Sequence, residues 1–405
     1  MVLGAMASLV AACRPGGAPS PTPTWDEVAV ATQANTPTPS PSPSPAPSET
    51  PLPPTATSTQ SPTPIPPQAT AAGAGSGSPS PVPSLTPSYT PVPATPTSPP
   101  PTATPAPALT RDALLRHWPE TERSRVVLVR HSGVWAGDQP DPAIVLQMLD
   151  EGLRTLAGAG DAQAVWQALF APDERVLLKV NCIAYGGPTQ PAVAYAVAQR
   201  LEEAGLAAEN ILIFDRTDRE LESAGYQLND GGAGIQCHGA HGKGSQAALS
   251  QATVKFFQEL DDCDALVNIP TPKQHGTAGM SASMKNHYGS VDRPGSLHGN
   301  SCDPAIAELN AQPNIRAKTR LIVGAALQVS PRDWNRPERE NALLLSFDPV
   351  AHDTVARDIL IRHREAQGVD SGFIINRSQH LRTGQELQLG ATDAGLIELQ
   401  EVVLA

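Results

Sequence analysis

Aromatic residues make up only 4% of this 405-residue chain, charged residues only 17%, and there are five cysteines. No Cys-x-x-Cys spacing occurs, which excludes a built-in iron–sulfur cluster. No cluster of Lys and Arg interrupts a net charge of −12, which argues against nucleic acid as a partner and against peripheral binding to anionic lipid. The shortage of charge is uneven. Arg14, Asp26, Glu27 and Glu49 are the charged side chains of the first 108 residues, and most of the 43 prolines stand there too. Such a segment has too few apolar side chains to offset its ordering entropy, so a disordered Pro/Ser/Thr-rich linker is expected over residues 14–108. Residues 109–405 carry ordinary amounts of Leu, Val and Ile, enough for a large core in one domain or two packed lobes.

Residues 2–12 are small and apolar and run directly into Cys13. They are too few to span a bilayer as a helix, which takes about 20 residues, and fit a signal-peptide core. Val10-Ala11-Ala12-Cys13 resembles the lipobox of bacterial lipoproteins, although no Lys or Arg precedes it. The resemblance implies cleavage before Cys13, acylation of its thiol and an extracytoplasmic protein tethered to the membrane by lipid. The linker would then act as a semi-rigid spacer, because closely spaced prolines favour polyproline II.

Beyond residue 108 the pattern alternates strands and helices. Apolar runs at 125–130, 175–180, 210–214, 264–269, 319–325 and 342–346 read as buried strands. Asp141-Pro142, Pro188 to Pro191 and Asp348-Pro349 each open a helix, and a further short helix falls near 219–224. This order predicts an α/β domain with a mostly parallel sheet and helices on both faces. In such sheets sites gather beyond the carboxyl ends of the strands. The residues found there are Lys179, Asn181 and Cys182, then Asp215, Thr217 and Asp218, then Lys273 and His275.

Further motifs follow in order: Lys273-Gln-His275-Gly276, Ser283-Met-Lys285-Asn286-His287-Tyr288-Gly289, His298, and Asp348-Pro-Val-Ala-His-Asp353. With Lys179-Val-Asn181 they resemble the pattern of domain-of-unknown-function family 362 over about residues 125–401. That family has no established biochemistry. Some members carry iron–sulfur modules, which implies redox chemistry for those members. The chain departs from the pattern after the Thr319 strand, where Gly324-Ala-Ala and then Arg332 to Pro337 replace an Asp-Gly and a Gly-rich loop.

Converging Lys179, Lys273 and Lys285, with Asn181 and Asn286, would suit a carboxylate, a phosphate or a developing oxyanion. Salt bridges to Asp215, Asp218 or Asp353 are the alternative. His275 or His298 could move a proton, giving His275, Lys285 and Lys179 as candidate catalytic groups. Asn181, Lys273, Asn286, His298 and Asp215 are the candidate ligand contacts. His275, His287, His298 and Asp353 are metal-ligand candidates whose spacing fits no compact signature. Cys237-His238-Gly-Ala-His241 offers metal-type ligands in what reads as a turn. Cys182, Cys237, Cys263 and Cys302 are expected to pair as disulfides outside the cytoplasm, with a reactive Cys182 thiolate as the alternative. The sequence identifies no cofactor and does not decide whether the domain is an enzyme. An enzyme acting on an anionic small molecule is the leading reading; a non-catalytic ligand- or wall-binding lipoprotein and a redox partner protein are the others.

Overall fold

Continuous apolar runs form the centre of the sheet because strands covered on both faces have no solvent side to alternate with. Val126 to Val129, Leu177 and Leu178, and Leu343 to Leu345 are all buried. Eight strands make one sheet: β1 (Ser124–His131), β2 (Val176–Val180), β3 (Ile211–Phe214), β4 (Gln236–His238), β5 (Ala265–Ile269), β6 (Thr319–Gly324), β7 (Ala342–Ser346) and β8 (Ile397–Leu404). Their spatial order is β8-β1-β7-β6-β5-β2-β3-β4. All neighbours pair in parallel except β7, which runs opposite to β1 and β6 on its two sides. The computed structural model describes residues 109–183, 187–332 and 336–405, and these fall in one compact unit rather than two lobes. The expected signal peptide, Cys13 and the linker lie outside the described residues. Among the described residues, no helix is long and apolar enough to cross a membrane.

Helices cover both faces, as the alternation predicts. One apolar cluster holds Val127, Val129, Val176 and Leu178 against helices Pro142–Ala157, Ala162–Leu169 and Pro191–Glu203. The other holds Val126, Leu128 and Leu177 against helices Ala305–Asn310 and Pro349–Glu365. Asp141 caps its helix through the Ala143 and Ile144 N–H groups, and Gly158 ends it at φ +62°, a conformation that suits glycine.

The reversal of β7 decides where its neighbours go. Val126 at the start of β1 lies opposite Ser346 at the end of β7. Asp348 is therefore at the amino edge of the parallel strands, away from Lys179. There its buried carboxylate takes the Ser124 hydroxyl and the Val350, Ala351 and Ala391 N–H groups. Helix Pro349–Glu365 then runs back along the sheet.

Several short elements escape the apolar-run reading. Gln236-Cys-His238, read as part of a turn, is the edge strand β4. Lys243–Ala248 pairs with Thr253–Phe257, and Lys273–His275 with Gly279–Ser281, as two small hairpins.

Candidate functional site

Lys179 points from the end of β2 into the fold and is only 1% exposed. A buried ammonium needs acceptors for its three protons. It donates to Asp215 Oδ1 at 2.8 Å, to the Val180 carbonyl at 2.6 Å and, more weakly, to Asn286 Oδ1 at 3.4 Å. Asp215 in turn accepts the Cys182 and Arg216 N–H groups at 2.5 and 2.8 Å. The ion pair is roofed by Gly289, where a Cβ would stand 2.8 Å from both Asp215 Oδ1 and Lys179 Nζ. The glycine of the Lys285-Asn286-His287-Tyr288-Gly289 motif lets the backbone approach the ion pair without displacing it.

Three amides carry this order to the rim. Asn286 Nδ2 donates to the Lys179 carbonyl at 3.1 Å and to Asn268 Oδ1 at 2.8 Å. Asn181 Nδ2 donates to Asn286 Oδ1 at 3.1 Å, and Asn181 Oδ1 receives Lys273 Nζ at 2.6 Å. Asn268, absent from the sequence-based candidates, joins the chain because it lies in β5 beside Lys179 in β2. A pairing of neighbouring strands is invisible until the strand order is known.

The network opens into a cleft of about 340 Å³ whose walls include Lys273, His275, Lys285, Tyr288 and His298. Arg216 and Glu220, also in its wall, pair with each other at 2.5 Å. Lys285 lies over the Tyr288 ring, 3.8 Å from its centre, and among the described residues no carboxylate pairs with it. Burial, the largest cause, pulls Lys285 down to about 8, with the Lys273 charge adding to it and Cys302 opposing. Burial also draws Lys273 down to about 8, against the pull of Asp215. Both remain mostly cationic at neutral pH.

The imidazoles differ in which nitrogen is engaged. His275 Nδ1 accepts the Thr277 and Ala278 N–H groups, both at 3.1 Å, so a neutral ring carries its proton on Nε2. Burial and then the Lys285 charge hold its pKa down at about 2. His275, expected to move a proton, is instead fixed as a neutral N–H donor. His298 Nδ1 lies 2.9 Å from the Pro294 carbonyl, to which it can only donate, and this leaves a lone pair on Nε2. Burial and then Lys285 lower its pKa too. The His275 and His298 rings stand 5.4 Å apart, centre to centre.

Other candidates lie elsewhere. His287 is buried beneath the site, with Nδ1 3.2 Å from the Ser290 hydroxyl and Nε2 3.2 Å from Asn268 Nδ2. Asp353 accepts the Ser283 N–H and hydroxyl and the Met284 N–H at 2.6–2.9 Å, anchoring the turn that carries Lys285. The expected four-residue metal set, His275, His287, His298 and Asp353, is thus not assembled. Neither Asp218 nor Asp353 pairs with a lysine; of the three alternatives, only Asp215 does. At Gly324, the end of β6, a Cβ would meet buried His352 Nε2 at 2.5 Å.

The cysteine expectations are corrected. Cys182, Cys237, Cys263 and Cys302 are all buried and unpaired, packed as small apolar groups. Cys182 and Cys237 belong to one core cluster, Cys263 and Cys302 to the other. Nor is Cys182 a thiolate: burial and then the Asp215 charge raise its pKa well above the usual thiol range. Cys302 closes a turn in which Asn300, Ser301 and Cys302 are all left-handed, at φ 46°, 58° and 64°. This unfavourable conformation sets it beside His275 and His298.

No curated protein matches the chain. In structure it is similar to a protein from Thermotoga maritima known from a crystal structure, at 12% sequence identity and a TM-score of 0.34. That comparison covers 62% of this chain and 60% of the other, a likeness too low to bear on function. The sequence resemblance is the more informative finding. Residues 176–358, the stretch that supplies Lys179, Asp215, Lys273, Lys285 and His298, match the family model described as Domain of unknown function (DUF362).

Proposed function

We propose that the cleft binds an anionic small molecule, a carboxylate or a phosphate, and that His298 exchanges a proton with it. One observation carries this reading: the Lys285 ammonium is buried in the cleft wall with no carboxylate among the described residues to neutralise it. A buried cation left so costs stability, and an anionic ligand would recover it. Lys273 adds a second positive group. Lys179 is committed to Asp215, so it positions Asn286 and Asn181 rather than meeting the ligand. His275 Nε2–H would donate to the anion, and the lone pair on His298 Nε2 would accept a proton from the bound molecule or return one.

Calorimetric titration of the full chain with inorganic phosphate and with a panel of mono-, di- and tricarboxylates tests this. Saturable binding is expected for at least one of them. It should weaken as pH rises through about 8, where both lysines lose charge, and Lys285→Met should abolish it. Binding unchanged in Lys285→Met, or absent across the panel, would remove the proposal.

The tether belongs to the same reading. Cys13 and the linker would hold this domain outside the membrane. Incorporation of labelled palmitate into the wild-type chain but not into Cys13→Ser is the expected result, and equal labelling of both would reject it.

A further inference from the structure

Two places among the described residues bring together three side chains of metal-ligand type. They are His275, His298 and Cys302 at the cleft, and Asp230, His238 and His241 at the β4 edge of the sheet. In each, the ligand atoms lie within 4.8 Å of one another. The first suits a cation poorly. His275 already uses Nδ1 as an acceptor, so its Nε2 holds a proton, and Lys285 sets a positive charge beside both imidazoles.

The second place is the reverse in charge, and one of its imidazoles presents a lone pair. His238 sits at the end of β4, with Nδ1 2.8 Å from the Gly239 carbonyl. That contact fixes the ring N–H on Nδ1 and leaves a lone pair on Nε2, as metal-binding imidazoles are commonly held. The bridge between Asn229 and Cys237 brings Asp230 alongside, with Oδ2 3.2 Å from His241 Nε2. The two rings are nearly parallel with centres 4.1 Å apart, and half-exposed His241 has room to tilt toward a shared ion. A separate observation points the same way. Glu259 is buried, spends Oε1 on the His241 N–H at 2.8 Å, and leaves Oε2 with no hydrogen-bond partner. Glu259, His238 and His241 line one hollow of about 480 Å³, where Glu209 and Asp262 outnumber the single cation, Arg175.

We propose that His238 Nε2, His241 Nε2 and an Asp230 carboxylate oxygen bind one divalent first-row metal ion, zinc being the expected one, near the Glu259 carboxylate. Two imidazoles and a carboxylate form a donor set that zinc accepts in tetrahedral geometry, with the fourth place left to water. Donors at about 2.0–2.1 Å from such an ion stand roughly 3.4 Å apart, so binding draws the three side chains slightly together. Cys237, the sequence neighbour that suggested a thiolate ligand, takes no part. Its side chain packs in the core, and burial followed by the Asp218 charge pushes its thiol up to about 11.

The full chain, stripped with a chelator and titrated with zinc ions alone, should bind one equivalent by calorimetry and elemental analysis. His238→Ala, His241→Ala and Asp230→Asn should each weaken binding by at least about tenfold. His298→Ala, in the cleft, should leave it unchanged. Asp230 and His241 are exposed, so these two variants should keep the wild-type circular dichroism, which separates ligand loss from misfolding. No zinc binding, or binding lost in His298→Ala and kept in His241→Ala and Asp230→Asn, would overturn the assignment.

Discussion

The cleft and the β4 edge use the same residue types to opposite electrical ends. In the cleft, lysines are buried and the carboxylates of the wall are already engaged, Asp215 by Lys179 and Glu220 by Arg216. At the edge, carboxylates outnumber Lys and Arg, and His241 stands half in water while His238 is more enclosed. A histidine is therefore not a metal ligand or a proton carrier by itself. The hydrogen bond on its other nitrogen and the sign of its neighbours decide which role it can take.

Stability measurements can break that contrast. The largest effect is expected for Lys179→Met, which strands the buried Asp215 carboxylate and should cost about 3–5 kcal/mol in urea unfolding. A loss below ~1 kcal/mol would show that Asp215 does not depend on Lys179. Lys285→Met should act in the other direction, stabilising the unliganded protein at pH 7 by on the order of 1–3 kcal/mol, because it removes a buried cation that lacks a carboxylate.

The pH dependence sharpens the same point. Lys285 falls from 10.5 to about 8 on folding, so between those values the unfolded chain binds more protons than the folded one. Between about pH 8 and 10.5 the stability of the wild-type chain should accordingly rise relative to that of Lys285→Met, a comparison that cancels the opposing effect of the buried thiols, whose raised pKa values favour unfolding above about 9. A difference between the two chains that does not change with pH would contradict the burial of Lys285. At the β4 edge, Asp230→Asn should change stability by no more than ~0.5 kcal/mol without metal, as an exposed position allows. Smallest of all is the response to reductant. With four buried, unpaired thiols in the domain, dithiothreitol should leave the urea midpoint where it is.

Much of the sheet is legible from sequence because buried strands such as Val126–Val129 and Leu343–Leu345 are unbroken apolar runs. Lys179 and Lys273 are legible because each stands at or just beyond the end of such a run, whereas Lys285 is picked out by the Ser283-Met-Lys285-Asn286 motif. Direction is not legible: an apolar run reads the same for a parallel and an antiparallel strand, so the reversal of β7 and the removal of Asp348 to the far edge go unseen. Partners distant in sequence are hidden as well. Asn268 meets Asn286 only through strand order, and Asp230 meets His241 only through a single bridge beside β4. Which nitrogen of His275 or His298 is engaged depends on backbone groups two to four residues away, whose placement no spacing rule provides.

The run of carboxamides from Asn268 through Asn286 to Asn181 has a consequence for how the cleft can change. Amides neither gain nor lose protons over the physiological range, so their donor and acceptor ends hold one orientation while the lysines at the mouth titrate. Aspartate in place of Asn286 would keep its shape yet could no longer donate to the Lys179 carbonyl and Asn268 together. The inner scaffold, with Lys273 bonded to it, is thus intolerant of a one-atom exchange, whereas the wall at Lys285 and His298 can be reshaped around a different anion.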